Sequence, residues 1–176
     1  MSELRTNRIV PRDGLPSGSS GGIIQVKSTT KTDTFSSSTT GSFVDVTGLS
    51  VTITPTRSDS KIFIMINVHV GGDQASYHAY RVLRDSTVVT QGTHATGSRT
   101  NVSFGGRIDQ DYDNYMMSFN FLDSPSTTSA TTYKLQVSDA FDSSNRNIVI
   151  NGTGDDANDS YTLCGTSTIT VMEVTG

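Results

Sequence analysis

From Lys61 to Val70 apolar and polar side chains alternate without a break: Ile62, Ile64, Ile66, Val68 and Val70 share one face, and Lys61, Phe63, Met65, Asn67 and His69 share the other. A period of two belongs to a strand, because successive side chains of extended chain point to opposite sides of a sheet. No helix collects these five β-branched residues on one side, and their stiff χ1 suits a pleated surface. The run demands a long strand with its isoleucine face in a core. Its second face is unusual, because Phe63 and Met65 sit in the middle of what a solvated sheet would leave polar.

Shorter runs of the same kind fill the rest of the chain. Residues 23–26, 43–46, 49–54, 77–83, 87–90, 101–104, 115–121, 133–137, 148–150 and 168–174 read as strands. Turn chemistry separates them at Gly48, Pro55, Gly71-Gly72, Arg84-Asp85-Ser86 and Asn151-Gly152. Helix formers are scarce, Glu occurring only at Glu3 and Glu173, whereas Ser and Thr supply roughly 29% of the chain. Apolar content is only 33%, but charge is also low at 17%, so the composition describes a thin-cored β protein and not a disordered one. About nine to eleven short strands with regular turns predict an all-β fold, a two-sheet β-sandwich of jelly-roll type.

Residues 1–22 read differently from the body, residues 23–176. Pro11 and Pro16 fix φ and lack an N–H, and Ser17-Gly18-Ser19-Ser20-Gly21-Gly22 is hinge-like, so no independent fold is expected there. The segment is expected to be an extended attachment arm. Its apolar anchors are Leu4, Ile9, Val10 and Leu15, and Arg5, Arg8 and Arg12 are placed to pair with acidic groups of a docking partner.

The net charge of −4 argues against nucleic acid as a partner, since counterion release needs a clustered basic surface. The longest wholly apolar stretch, Ile62 to Ile66, is far short of the ~20 residues that span a bilayer, so no membrane partner is expected. Cys164, the single cysteine, excludes a disulfide framework and is expected to be a small buried residue. His69, His78 and His94 lack metal-ligand spacing, although His69 and His78 flank a turn and could approach each other. Asp109-Gln110-Asp111-Tyr112-Asp113-Asn114 has oxygens at alternate positions but lacks the glycine and distal Glu of a calcium loop. No cofactor, no metal and no catalytic residue is expected.

Two surfaces remain. Phe63 and Met65, with Met116 and Met172 in similar mixed strands, need an apolar cover: either a loop folded over them, tolerated surface hydrophobes, or a subunit interface of a homo-oligomer. Tyr77, His78, Asp109, Tyr112, Asp113 and Asn114 form a loop set suited to a sugar, because tyrosine rings offer an apolar face and Asp and Asn satisfy hydroxyls. The alternative is that Tyr80 and Tyr115, beside them, are simply core-facing.

Residues 4–14, the Gly22-Ile23-Ile24-Gln25-Val26 start of the body, residues 46–55 followed by Ser60-Lys61-Ile62, and the closing Ser167–Val174 together resemble small tail-fibre-like virion proteins of bacteriophages, particularly those of cyanobacteria and other marine bacteria. The resemblance is weak from Gly72 to Cys164. It implies a homotrimer, made in the host bacterial cytoplasm and resident in the virion, whose N-terminal segment joins a tail adaptor, baseplate or capsid protein. Its β domain would point outward toward a host surface glycan or protein. No heptad, collagen or β-helix repeat supplies a shaft. That leaves a short tail fibre or fibre tip or, as the alternative, a capsid-decorating protein that stiffens the shell without binding a receptor.

Overall fold

The computed structural model describes residues 22–140, 145–155 and 157–175. The expected arm, with Leu4, Arg5, Arg8, Ile9, Val10, Arg12 and Leu15, lies outside the described residues. Eleven strands and no helix make up the described chain: β1 (Ile23–Lys31), β2 (Phe35–Ser37), β3 (Val44–Ile53), β4 (Lys61–Gly72), β5 (Tyr77–Arg84), β6 (Thr87–Thr90), β7 (Phe104–Arg107), β8 (Asn114–Asp123), β9 (Thr131–Asp139), β10 (Ile148–Ile150) and β11 (Ser167–Val174).

They form two antiparallel sheets. In the first, β8 runs along one edge of β4 over Ile62–Gly71, while β11 and the short β10 divide the other edge; β1 lies beyond β11 and β2 beyond β10. In the second the order is β3-β9-β5, with β6 and β7 dividing the far edge of β5. The chain crosses between sheets six times, from β2 to β3, β3 to β4, β4 to β5, β7 to β8, β8 to β9 and β9 to β10. The set β1-β11-β4-β8 facing β3-β9-β5-β6/β7 is a jelly roll.

The core follows from the alternation of β4. Ile62, Ile64, Ile66, Val68 and Val70 are all at most 1% exposed and meet Val46, Leu49, Val51, Ile53, Tyr80, Val82, Tyr133, Leu135 and Val137 of the second sheet. Each such side chain contributes about 1.5–3 kcal/mol on burial. Gly48 does not end a strand as expected. It adopts φ +84° inside a register shift between Asp45 and Ser50, so the two expected runs are one bulged strand that keeps Val46 and Leu49 both buried. Gly71 and Gly72 likewise belong to β4, and Phe35–Ser37, expected to lie in a loop, pairs with β10.

Buried polar groups close the end of the sandwich near Ile62. Asp123 accepts two hydrogen bonds from Arg84 Nη1, at 2.7 and 2.9 Å, and one from Tyr133 Oη at 2.7 Å, which ties β8 to β5 and β9 across the core. Burial, then the hydrogen bond to Asp123, raises the Tyr133 hydroxyl far above its ordinary range. Glu173 faces inward beside Ile62 and accepts from Gln25 Nε2 (2.6 Å) and from the backbone N and hydroxyl of Thr56 (both 2.7 Å). Burial alone would raise its pKa, but these hydrogen bonds outweigh it and hold the carboxyl at about 2. At the other end Asn151, with φ +66° and 1% exposed, donates to the carbonyls of Lys31 and Asp33 and accepts from Ser167 Oγ. The expected turn at Asn151-Gly152 is therefore also the knot that joins β1, β10 and β11.

Candidate functional site

Chain direction gives the sandwich two unlike ends. β1 begins against the end of β11, Ile23 opposite Val174, and Val174 in turn lies opposite Lys61 at the start of β4. At the far end of β4, a distance of about 36 Å along a strand of this length, Gly71 pairs with Asn114 and Gly72 with Ile148. The loops around residues 73–76, 109–113, 145–147 and 151–166 gather there.

This loop end carries exposed tyrosines. Tyr112 and Tyr161 are about half exposed and meet edge to face with ring centroids 6.1 Å apart. Tyr161 Oη donates to Asp159 Oδ2 at 2.8 Å, and that hydrogen bond raises its pKa. Arg107 lies 5.4 Å from the centre of the Tyr77 ring, pairs with exposed Asp109 at 2.7 Å, and offers its carbonyl to Tyr115 Oη. Two open depressions, of about 520 and 500 Å³, adjoin at Gly154. One is lined by Asp73, Gln74, Asp111, Arg146 and Asp155, and the other by Thr34, Asn147, Thr153, Asn158, Asp159 and Cys164.

The loops are seated on β4 by backbone packing. A methyl group at Gly71 would collide with the Gly152 carbonyl, at Gly72 with that of Asn147, and at Gly154 with that of Gly72. Only hydrogen side chains permit so close an approach.

The structure places some of the expected loop residues at this end and others elsewhere. Tyr77, Asp109 and Tyr112 are exposed at this end, while Asp113 and Asn114 are half-buried and Asp113 accepts from the Gln110 amide. His78 is corrected: it is 2% exposed, held between Ser76 Oγ and Tyr80 Oη at 3.0 Å each, and burial pushes its pKa down to about 4. It points inward from β5 because the period of two puts it with Tyr80 and Val82. Ser76 and Tyr80 are equally buried, so this hydroxyl–imidazole chain is closed off from solvent. His69, on the outer face of the first sheet against Gly165, does not approach it. Tyr80 is core-facing, whereas Tyr115 is 39% exposed. Cys164 is exposed, contrary to expectation, on the rim of the second depression. Among the described residues no group of three His, Cys, Asp or Glu side chains converges on a metal position. Tyr161 was missed because a lone aromatic between Ser160 and Thr162 carries no periodicity.

The outer face of the first sheet is the second candidate. Register places Val26, Met172, Phe63 and Leu122 in one row across β1, β11, β4 and β8, with Met65 in the next row. Val26 and Leu122 are about half exposed, Met65 is 36% exposed, and Phe63 and Met172 are half-buried by their neighbours. Met116 stands apart, opposite His69. Single-strand patterns do not reveal Val26 and Leu122, because the row exists only once four strands are aligned. The outer face of the second sheet is polar, with Lys134 and Gln136 both 2.7 Å from Asp45.

No protein-family model matches the chain, and no curated protein matches it. Among solved structures it is similar to a chain of infectious bursal disease virus strain Gt, at 16% identity and a TM-score of 0.45 over 86% of this chain and 38% of that one. Strain Gx of the same virus gives 16% identity and a TM-score of 0.42 over 87% and 40%. The VP2 subviral particle of that virus gives 17% and 0.36 over 86% and 39%. The chain thus spans about two fifths of the length of these viral chains.

Proposed function

We propose that this chain is a non-enzymatic structural subunit of a virion, a short tail fibre or fibre tip. It attaches through residues 1–22 and presents the loop end of its β-sandwich to a host surface glycan or protein. The observation that carries this reading is the polarity of the domain. Residue 22 enters at one end, and the exposed Tyr112–Tyr161 pair with its carboxylates lies at the other. A subunit held at its entry end displays those loops outward. Exposed tyrosines beside Asp and Asn side chains suit sugar rings, and many copies on one particle turn weak contacts into avidity. The apolar row on the outer face of the first sheet supports assembly as a homo-oligomer, of which a trimer is the form the sequence resemblance implies.

The test separates attachment from recognition. Without residues 1–22 the body is expected to fold and to compete with whole phage for host cells, yet to be absent from particles. The double variant Y112A/Y161A is expected to fold and enter particles but to lose adsorption. Normal incorporation of the truncated chain would refute the attachment role. A truncated body that never adsorbs, together with particles that lose heat resistance when the protein is missing, would replace the fibre reading with that of a capsid-decorating protein.

A further inference from the structure

Among the described residues β8 is the outermost strand of its sheet and pairs with β4 alone. Its sequence, Asn-Tyr-Met-Met-Ser-Phe-Asn-Phe-Leu-Asp, holds no lysine, arginine or proline, and its register on β4 runs from Ile62 to Gly71 without a bulge. The lysine, proline and bulge that commonly keep a solvent-facing edge from pairing are missing, and the one inward charge, Asp123, sits at the strand's end. The flank beneath this edge is also incompletely covered. Phe119 stacks on Phe104 at 5.3 Å, but the second sheet ends here in the four-residue strands β6 and β7, and Phe104, Met117, Phe119 and Phe121 all remain half-buried.

On its other side β8 borders the outer face with the Val26–Met172–Phe63–Leu122 row. The only formally charged side chain projecting from that face, among the described residues, is Lys61 at its end. Two partly apolar surfaces with little charge therefore meet along one strand.

We infer that both surfaces are covered by further copies of this chain in a closed ring, the β8 flank of each subunit seated on the outer face of the next. This rests on the reading of the chain as an assembling subunit, and adds which surfaces meet and that they meet head to tail. A two-fold pair joined face to face would leave the β8 flank in water. A head-to-tail contact uses both surfaces of every subunit and closes when its rotation divides the circle. Charge selects the same chain as occupant. The face offers a foreign partner almost no charge to match, and the β8 flank carries charge only in the ion pairs Arg107–Asp109 and Arg84–Asp123 at its ends. Area points the same way. Four strands about 4.8 Å apart, over eight residues at about 3.4 Å, give roughly 400–500 Å² of sheet, below the ~800 Å² per partner of a standard interface. A ring buries flank and face together on each chain.

Complementation tests the geometry in the full-length chain, with mass read by light scattering. The face variant carries V26K and M65K, both at exposed positions. The flank variant carries F121K, with F121Q in its place if far-UV circular dichroism shows that F121K loses strand content. Wild type is expected to be oligomeric and each variant monomeric. Their equimolar mixture is expected to form a two-chain complex and nothing larger, because one intact flank meets one intact face. If either variant keeps the wild-type mass, or the mixture stays monomeric, the ring is overturned and the assembly reading stands. A monomeric wild type overturns both.

Discussion

Acid should loosen this fold through His78 before it reaches the carboxylates. The imidazole is neutral in the sandwich, 2% exposed, with Ser76 and Tyr80 hydroxyls on its two nitrogens and burial lowering its pKa from 6.5 to about 4. Because the folded value lies below the unfolded one, the unfolded chain binds the proton more tightly. The stabilisation is complete above pH 6.5 and drains away as pH falls toward 4. The gap corresponds to at most about 3 kcal/mol, of which about 2 kcal/mol is lost between pH 7 and 5. Urea unfolding followed by far-UV circular dichroism at fixed protein concentration measures this directly. H78Q keeps a polar group between the two hydroxyls and removes the titration, so its stability is expected to be lower at pH 7 but much flatter from pH 7 to 5. A small slope should survive from His69, whose pKa burial also lowers against an opposing hydrogen bond with Asn114. Glu173 acts in a separate window, since its carboxyl is held at about 2 and its contribution is lost only as pH falls below about 4.5. If wild type and H78Q lose stability in parallel from pH 7 to 5, the buried neutral imidazole is not the cause.

At the opposite end, D123A strands Arg84 and Tyr133 together and is expected to cost about 3 kcal/mol, whereas Y133F removes one donor and costs about 1 kcal/mol; urea midpoints distinguish them. N151A loses three side-chain hydrogen bonds and keeps a Cβ at φ +66°, so it is expected to be destabilised by about 3 kcal/mol. N151G relieves the left-handed backbone and should recover about 1 kcal/mol of that. Equal melting temperatures for the two would mean that the backbone at 151 is unstrained.

The architecture was legible wherever burial on one side imposed a period of two. β4, β8, β9 and β11 follow that period, and the chain turns at Asn151, where Asn tolerates positive φ. Glycine misled in both directions. Gly48 looked like a strand end and is a bulge; Gly71 and Gly72 looked like a turn and are the smooth track on which loops lie. In each case the deciding contact comes from chain distant in sequence. β2 was invisible because three residues, Phe-Ser-Ser, pair only through β10. The candidate surfaces divide in the same way. Met65 and Tyr112 declare themselves locally, but His78 is buried by a parity that is settled only once β5 packs, and the row through Val26 and Leu122 exists only after four strands take register.

The glycines beneath the loops have an evolutionary consequence. Gly71, Gly72 and Gly154 let the loop end lie on β4 by main-chain contact, beside the side-chain knot at Asn151. Side chains farther out, at Asp155, Asn158, Tyr161 and Leu163, therefore decorate a frame that does not depend on them. If the loop end is the recognition tip proposed above, it can trade one recognised surface for another through substitutions at these outer positions, while the ledge that holds it admits almost none.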